Sequence, residues 1–120
     1  MTGLQGLIKR RAVLAALHSW RGLKACFEHE EAFRIEVLLS VFLLPAAFFV
    51  ADNAIELILL CGSVLLVLIV ELLNSAVEAA IDRIGPEHHA LSGRAKDLGS
   101  AAVLMAMALF VVTWAAILLY

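Results

Sequence analysis

The sequence predicts an all-α integral membrane protein, with three spanning helices and an amphipathic helix lying on the membrane surface before them. Three observations predict it. Of the 120 residues, 63% are hydrophobic and 17% charged, and the mean hydropathy is +0.98; soluble domains carry roughly 25% charge. Three apolar stretches are available for spanning helices of about 20 residues each. All nine basic residues fall in two segments, around residues 9–34 and 83–96. Three spans use about half the chain, so residues 1–120 form one domain with no room for a soluble catalytic module. A net charge of −2 offers no basic surface for nucleic acid.

The surface helix is read over residues 4–27. Leu4, Leu7, Leu14 and Leu17 share one side at 100° per residue. Arg10 and Arg21 project near that side, where their long stems can snorkel. A basic, partly apolar helix with Trp20 fits an anionic leaflet interface; the same pattern also suits a helix packed on its own protein. The apolar run after Lys9-Arg10-Arg11 is interrupted by His18 and Arg21 and is short for a signal-peptide core.

The first span is read over residues 33–51. Arg34 and Glu36 lie in its first turn, and Pro45 is expected to kink it. Asp52-Asn53 makes a turn. The second helix covers residues 55–84 and is uncharged from Leu57 to Val70, then mixed until Gly85-Pro86 ends it. A polar stretch from Glu87 to Asp97 leads into the third span, residues 98–120, whose Gly99, Ser100, Ala101 and Ala102 suit close helix contact. The positive-inside rule places the N-terminus and the second connection in the cytoplasm, and the first connection and C-terminus on the far side. Cys26 and Cys61 fall in a cytoplasmic segment and a span, and are read as packing residues rather than a disulfide or zinc pair.

Chemistry concentrates at the cytoplasmic end of the second helix. Glu71, Asn74, Glu78 and Asp82 are spaced by three, four and four, which keeps them on one stripe. A carboxylate at membrane depth costs several kcal/mol and marks a functional site by default, the alternative being a hydrogen-bond network that fixes assembly. Glu28, Glu30 and Glu31 lie on the same membrane side. Taken alone, the second group reads as a solvated helix end; with partner carboxylates on the same side, one carboxylate from each group, with phosphate oxygens and water, suits Mg²⁺. Arg94 and Lys96, read as preceding the N-terminus of the third span, suit phosphate or simply set topology. No phosphate-loop or dinucleotide fingerprint is present, and His88 and His89 lack a metal-ligand set.

These residues carry a resemblance. VELLNSAVEAAIDRIG (70–85) and LSGRAKDLGSAAV (91–103), with a looser likeness in SWRGLKACFEHEEAFRIE (19–36), resemble the prokaryotic diacylglycerol kinase family over nearly the whole chain. The resemblance implies a homotrimer in the bacterial inner membrane that phosphorylates diacylglycerol to phosphatidic acid with MgATP. By position, it implies Glu71 as catalytic base with Asn74 beside it, and Glu30 and Glu78 as holders of the metal that bridges the ATP phosphates. Lys96 and Asp97 match nucleotide contacts, Glu87, His88 and His89 lie near the adenosine, and Arg11 belongs to the surface helix that closes over the nucleotide. His18 stands where the family has an aromatic tyrosine near the nucleotide; Glu31 and Ile35 also depart from the pattern. Arg34, Glu71, Ser100 and Trp114 fall where lipid contacts are expected.

Two other functions fit parts of this pattern. A family branch acts on undecaprenol, although the LNSA and SGRAKD wording favours the diacylglycerol branch. An ion or proton transporter would also use intramembrane carboxylates, but no charged residue continues the path through the apolar bodies of the other spans.

Overall fold

The computed structural model describes residues 3–120 as four helices: α1 (Gly3–His29), α2 (Glu31–Val50), α3 (Ala54–Ile84) and α4 (Ala90–Leu119). The last three are long and apolar enough to cross a membrane. The described residues occupy 53 × 47 × 22 Å.

Each boundary has a local cause. Glu30 adopts an extended conformation (φ −115°, ψ 109°) that separates α1 from α2. The Arg34 guanidinium donates to the carbonyls of Phe27 and Glu28, 3.2 Å from each, so α2 satisfies the orphan carbonyls at the end of α1. Pro45 lies inside α2, which continues on both sides of it. Asn53 starts α3 by accepting from the Glu56 backbone N–H at 2.9 Å, while a Glu56 oxygen accepts from the Asp52 N–H at 3.2 Å. This is a reciprocal cap of the capping-box kind. Gly85 ends α3 at φ +156°, a backbone region open to glycine, and Pro86 follows.

α4 differs from the expected third span. It begins at Ala90, not at 98, because the His89 ring nitrogen accepts from the Leu91 N–H at 3.0 Å and caps the helix. Hydropathy located where the chain becomes lipid-compatible, whereas helix formation starts at the cap. The polar run from Leu91 to Asp97 is therefore helix rather than loop.

The packed centre is small. Ala47 of α2, Leu60 and Val64 of α3 and Trp114 of α4 form one buried cluster. Ala47 is fully buried, and its small side chain lets neighbouring helices approach. Outward faces are strongly apolar: Phe49, for example, is 90% exposed within the single chain. Such surface suits lipid or other membrane helices rather than water. The leucines of α1 likewise remain exposed, and Cys26 is its one buried residue among those described.

Leu60→Ala tests this centre. Lipid is as apolar as leucine, so the transfer component seen in soluble proteins largely disappears and lost packing remains. A destabilisation of about 2 kcal/mol, at the low end of buried Leu→Ala changes, is expected in reversible unfolding in mixed micelles.

Candidate active site

The α3 stripe runs from the packed interior to the exposed end. Glu71 is 6% and Asn74 9% exposed, Glu78 is half-buried and Asp82 exposed. Glu71 is the electrostatic centre: Glu36 of α2, Glu30 of the α1–α2 break and Glu78 one turn beyond Asn74 all act on its carboxyl. Asn74 Nδ2 donates to Glu78 Oε1 at 3.4 Å. Among the described residues no lysine, arginine or histidine forms an ion pair with any of these four carboxylates. Carboxylates assembled without cations make a surface prepared for an external cation or for proton transfer.

Glu36 was not singled out as a site residue by its sequence context. Both its carboxyl oxygens are buried, and the group meets the Glu71 carboxyl closely enough to share a proton with it in a side-chain hydrogen bond. It forms the acidic end of a cavity of about 260 Å³ lined also by Leu39, Leu43, Val64, Met107 and Phe110. The available signal was an acidic residue placed between Ile35 and Val37 in an otherwise apolar helix.

At the exposed end of the stripe, Lys96 Nζ donates to Asp82 Oδ1 at 3.0 Å, tying α4 to α3. Lys96 and Asp97 are not at a helix N-terminus as expected: they lie inside α4, and both are exposed. Glu87, His88 and His89 are also exposed; Glu87 and His89 border an open cavity of about 450 Å³ with Gly85, Pro86 and Ser92. Arg11 and His18 stand exposed on α1.

The expected lipid contacts divide. Ser100 is exposed. Arg34 spends its guanidinium on the end of α1. Trp114 is 8% exposed within the α2–α3–α4 centre, 5.8 Å from the Phe110 ring. Its indole thus packs among neighbouring helices, in one cluster with Ala47, Leu60 and Val64.

Cys26 fixes the end of α1 beside this site. Its thiol donates to Ser75 Oγ on α3 at 3.5 Å, and its carbonyl accepts from the Glu30 N–H at 2.9 Å. Burial pushes the thiol above the usual cysteine range, and the nearby Glu30, Glu71 and Glu36 carboxylates push it the same way, while the Ser75 hydroxyl, free to rotate and donate to the thiolate, pulls against them. The folded chain therefore holds this proton more tightly than the unfolded one. Its contribution to stability is complete below the ordinary thiol range and is lost as pH rises through the raised value. Alkylation by a maleimide at pH 8 is expected to be slow in native protein and fast in denaturant; equal rates would contradict the burial.

The donor set can be tested against Mg²⁺. No cluster of three or more His, Cys, Asp or Glu side chains able to hold a metal occurs among the described residues. Mg²⁺ commonly uses one or two carboxylates and completes its shell with phosphates and water. Glu30 and Glu78, oxygen donors whose fields converge on Glu71, fit that requirement.

Comparison with known proteins identifies the family of the chain. The sequence model of the family described as prokaryotic diacylglycerol kinase matches residues 17–118. The diacylglycerol kinase of Haemophilus influenzae is 49% identical over 119 residues, covering 99% of this chain and 97% of that protein. That of Escherichia coli K12 is 51% identical over 108 residues, covering 90% and 88%. A more divergent relative, from Helicobacter pylori strain 26695, is 37% identical over 110 residues, covering 92% and 86%. With likeness of this degree along nearly its full length, the chain belongs to the prokaryotic diacylglycerol kinase family.

Proposed function

We propose that the chain transfers the γ-phosphate of ATP to diacylglycerol at the cytoplasmic face of a bacterial inner membrane, as a homotrimer with α1 lying along that face. The observation that carries the reading is Glu71, a buried carboxylate in an apolar membrane helix with no cationic partner among the described residues. A group so placed meets a lipid headgroup rather than a soluble substrate. Glu71 takes the proton of the acceptor hydroxyl as its oxygen attacks the γ-phosphorus. The bond from that phosphorus to the β–γ bridging oxygen breaks, and ADP leaves. Asn74 orients the neighbouring carboxylate, and Lys96 and Asp97, with Glu87, His88 and His89, contact the nucleotide. Arg11 and His18 close over it from α1, while Ser100, exposed on α4, belongs to the lipid side. Mg²⁺ would be held by Glu30 and Glu78 and, when bound, supplies charge neutralisation at the phosphates.

Transport is a weaker reading on structural grounds. Besides Glu71, and Glu36 whose carboxyl oxygens are buried, the buried polar groups of the spans among the described residues are Asn74, Ser63, Ser40 and the Trp114 indole N–H. The two serine hydroxyls donate to carbonyls of their own helices, Leu60 and Val37. Beyond the Glu36–Glu71 pair, these leave no chain of titratable groups along the spans for a proton to follow.

The test is transfer of labelled γ-phosphate in detergent micelles, with diacylglycerol and undecaprenol compared as acceptors and with chelator added in parallel. Mg²⁺-dependent phosphatidic acid formation is expected. Phosphorylation of undecaprenol alone would retain the chemistry and replace the substrate; transfer to neither, from folded protein, would overturn the kinase reading.

A further inference from the structure

Of the seven glycines in the chain, six have open space where a side chain would begin. Gly99 differs: the Asn74 side-chain oxygen occupies the position a Cβ would take, closer than any van der Waals contact allows. Gly99 lies within α4 and Asn74 on the facing side of α3. Asn74 is 9% exposed, and Oδ1 is buried without a hydrogen-bond partner. Its Nδ2 donates to Glu78 Oε1 at 3.4 Å.

The carboxamide is planar and carries its oxygen and nitrogen on one carbon, so seating one atom aims the other. The reverse orientation would turn the carbonyl oxygen toward the Glu78 carboxylate, acceptor against acceptor, and press the NH₂ group onto backbone carbon. We infer that Gly99 is a positioning residue: its bare backbone forms the notch that seats Asn74 Oδ1, and this seat directs Asn74 Nδ2 onto Glu78. The inference rests on the proposed role of Glu78 at the nucleotide phosphates. It adds a residue of α4 that touches no substrate and acts through Asn74.

An alanine at position 99 would collide with the end of a short, rotatable side chain. Asn74 can swing aside, so the helix pair persists while the hydrogen bond to Glu78 is lost. Gly99→Ala is therefore expected to raise the Mg²⁺ and MgATP concentrations needed for half-maximal transfer by about tenfold, the scale at which metal-ligand supports act, with little change in kcat at saturation.

The decisive measurement is the cycle of Gly99→Ala, Asn74→Ala and the double variant. Each is followed by Mg²⁺ dependence, by equilibrium binding of MgATP and by thermal unfolding in micelles. If the notch acts through Asn74, the double variant is no worse than Asn74→Ala alone. Additive losses in binding, or an unchanged Mg²⁺ requirement in Gly99→Ala, would overturn the inference. Should Gly99→Ala fail to fold, recovery of folding in the double variant supports the notch and failure of both opposes it. Absence of lipid phosphorylation in the unaltered protein would instead remove the kinase reading, which distinguishes the two failures.

Discussion

Glu71→Gln is expected to reduce phosphatidic acid formation by about 10²–10⁴-fold, the usual contribution of a positioned general base, without loss of the folded protein. Glutamine has nearly the same volume and retains a carbonyl oxygen, so the interior between α2 and α3 keeps its packing. What disappears is the ability to accept the acceptor hydroxyl's proton. The substitution also removes one of two carboxyls that face each other without a cation, Glu36 being the other. Thermal stability is therefore expected to hold or rise. The measurement pairs turnover at saturating MgATP and diacylglycerol with unfolding in the same micelles. Near-normal turnover would remove Glu71 from the role of base, whereas lost turnover with lost folding would assign it to structure.

The helices were legible in the sequence because membrane spans are written in composition. Long uncharged runs, the Asp52-Asn53 turn and Gly85-Pro86 each map to one boundary. α4 was misplaced at its start because its opening turns are polar yet helical, and its cap is a histidine ring rather than a serine, threonine, asparagine or aspartate. The break at Glu30 was visible only indirectly. Its position depends on Arg34 reaching back to the carbonyls of α1, a contact that spacing in the sequence does not announce.

At the site, helical periodicity was sufficient for residues on one helix. Glu71, Asn74 and Glu78 share a face because three- and four-residue steps require it, and the structure shows that face turning from buried to half-buried. Relations between helices were not legible. Glu36 reads as a first-turn acid of α2, yet the packing of α2 on α3 turns it toward Glu71. Lys96 reads as a loop cation but is joined to Asp82 across α3 and α4. Trp114 falls where the resemblance implies a lipid contact, whereas it is buried in one cluster with Ala47, Leu60 and Val64. Each depends on the size or charge of a partner distant in sequence.

Glu30 and Glu78 offer the second large effect, and one that separates metal support from proton transfer. Glu30 is held at a defined place because its N–H is bonded to the Cys26 carbonyl at 2.9 Å and its carbonyl to the Arg34 N–H at 3.1 Å. Glu78 is held by Asn74. Their side chains thus come from two rigid supports, and among the described residues no cation forms an ion pair with either. Replacing either carboxylate with glutamine removes negative charge where Mg²⁺ and the ATP phosphates would meet, so Glu30→Gln and Glu78→Gln are each expected to raise the Mg²⁺ requirement at least about tenfold. Because the defect lies in affinity, excess Mg²⁺ should restore part of the rate. No Mg²⁺ concentration should restore Glu71→Gln, whose missing proton acceptor a cation cannot replace. Mg²⁺ titrations of the three variants in one micellar assay therefore test the division of labour directly. Rescue of Glu71→Gln by Mg²⁺ would move that residue among the metal-binding groups, and an unchanged requirement in Glu30→Gln and Glu78→Gln would remove both from them.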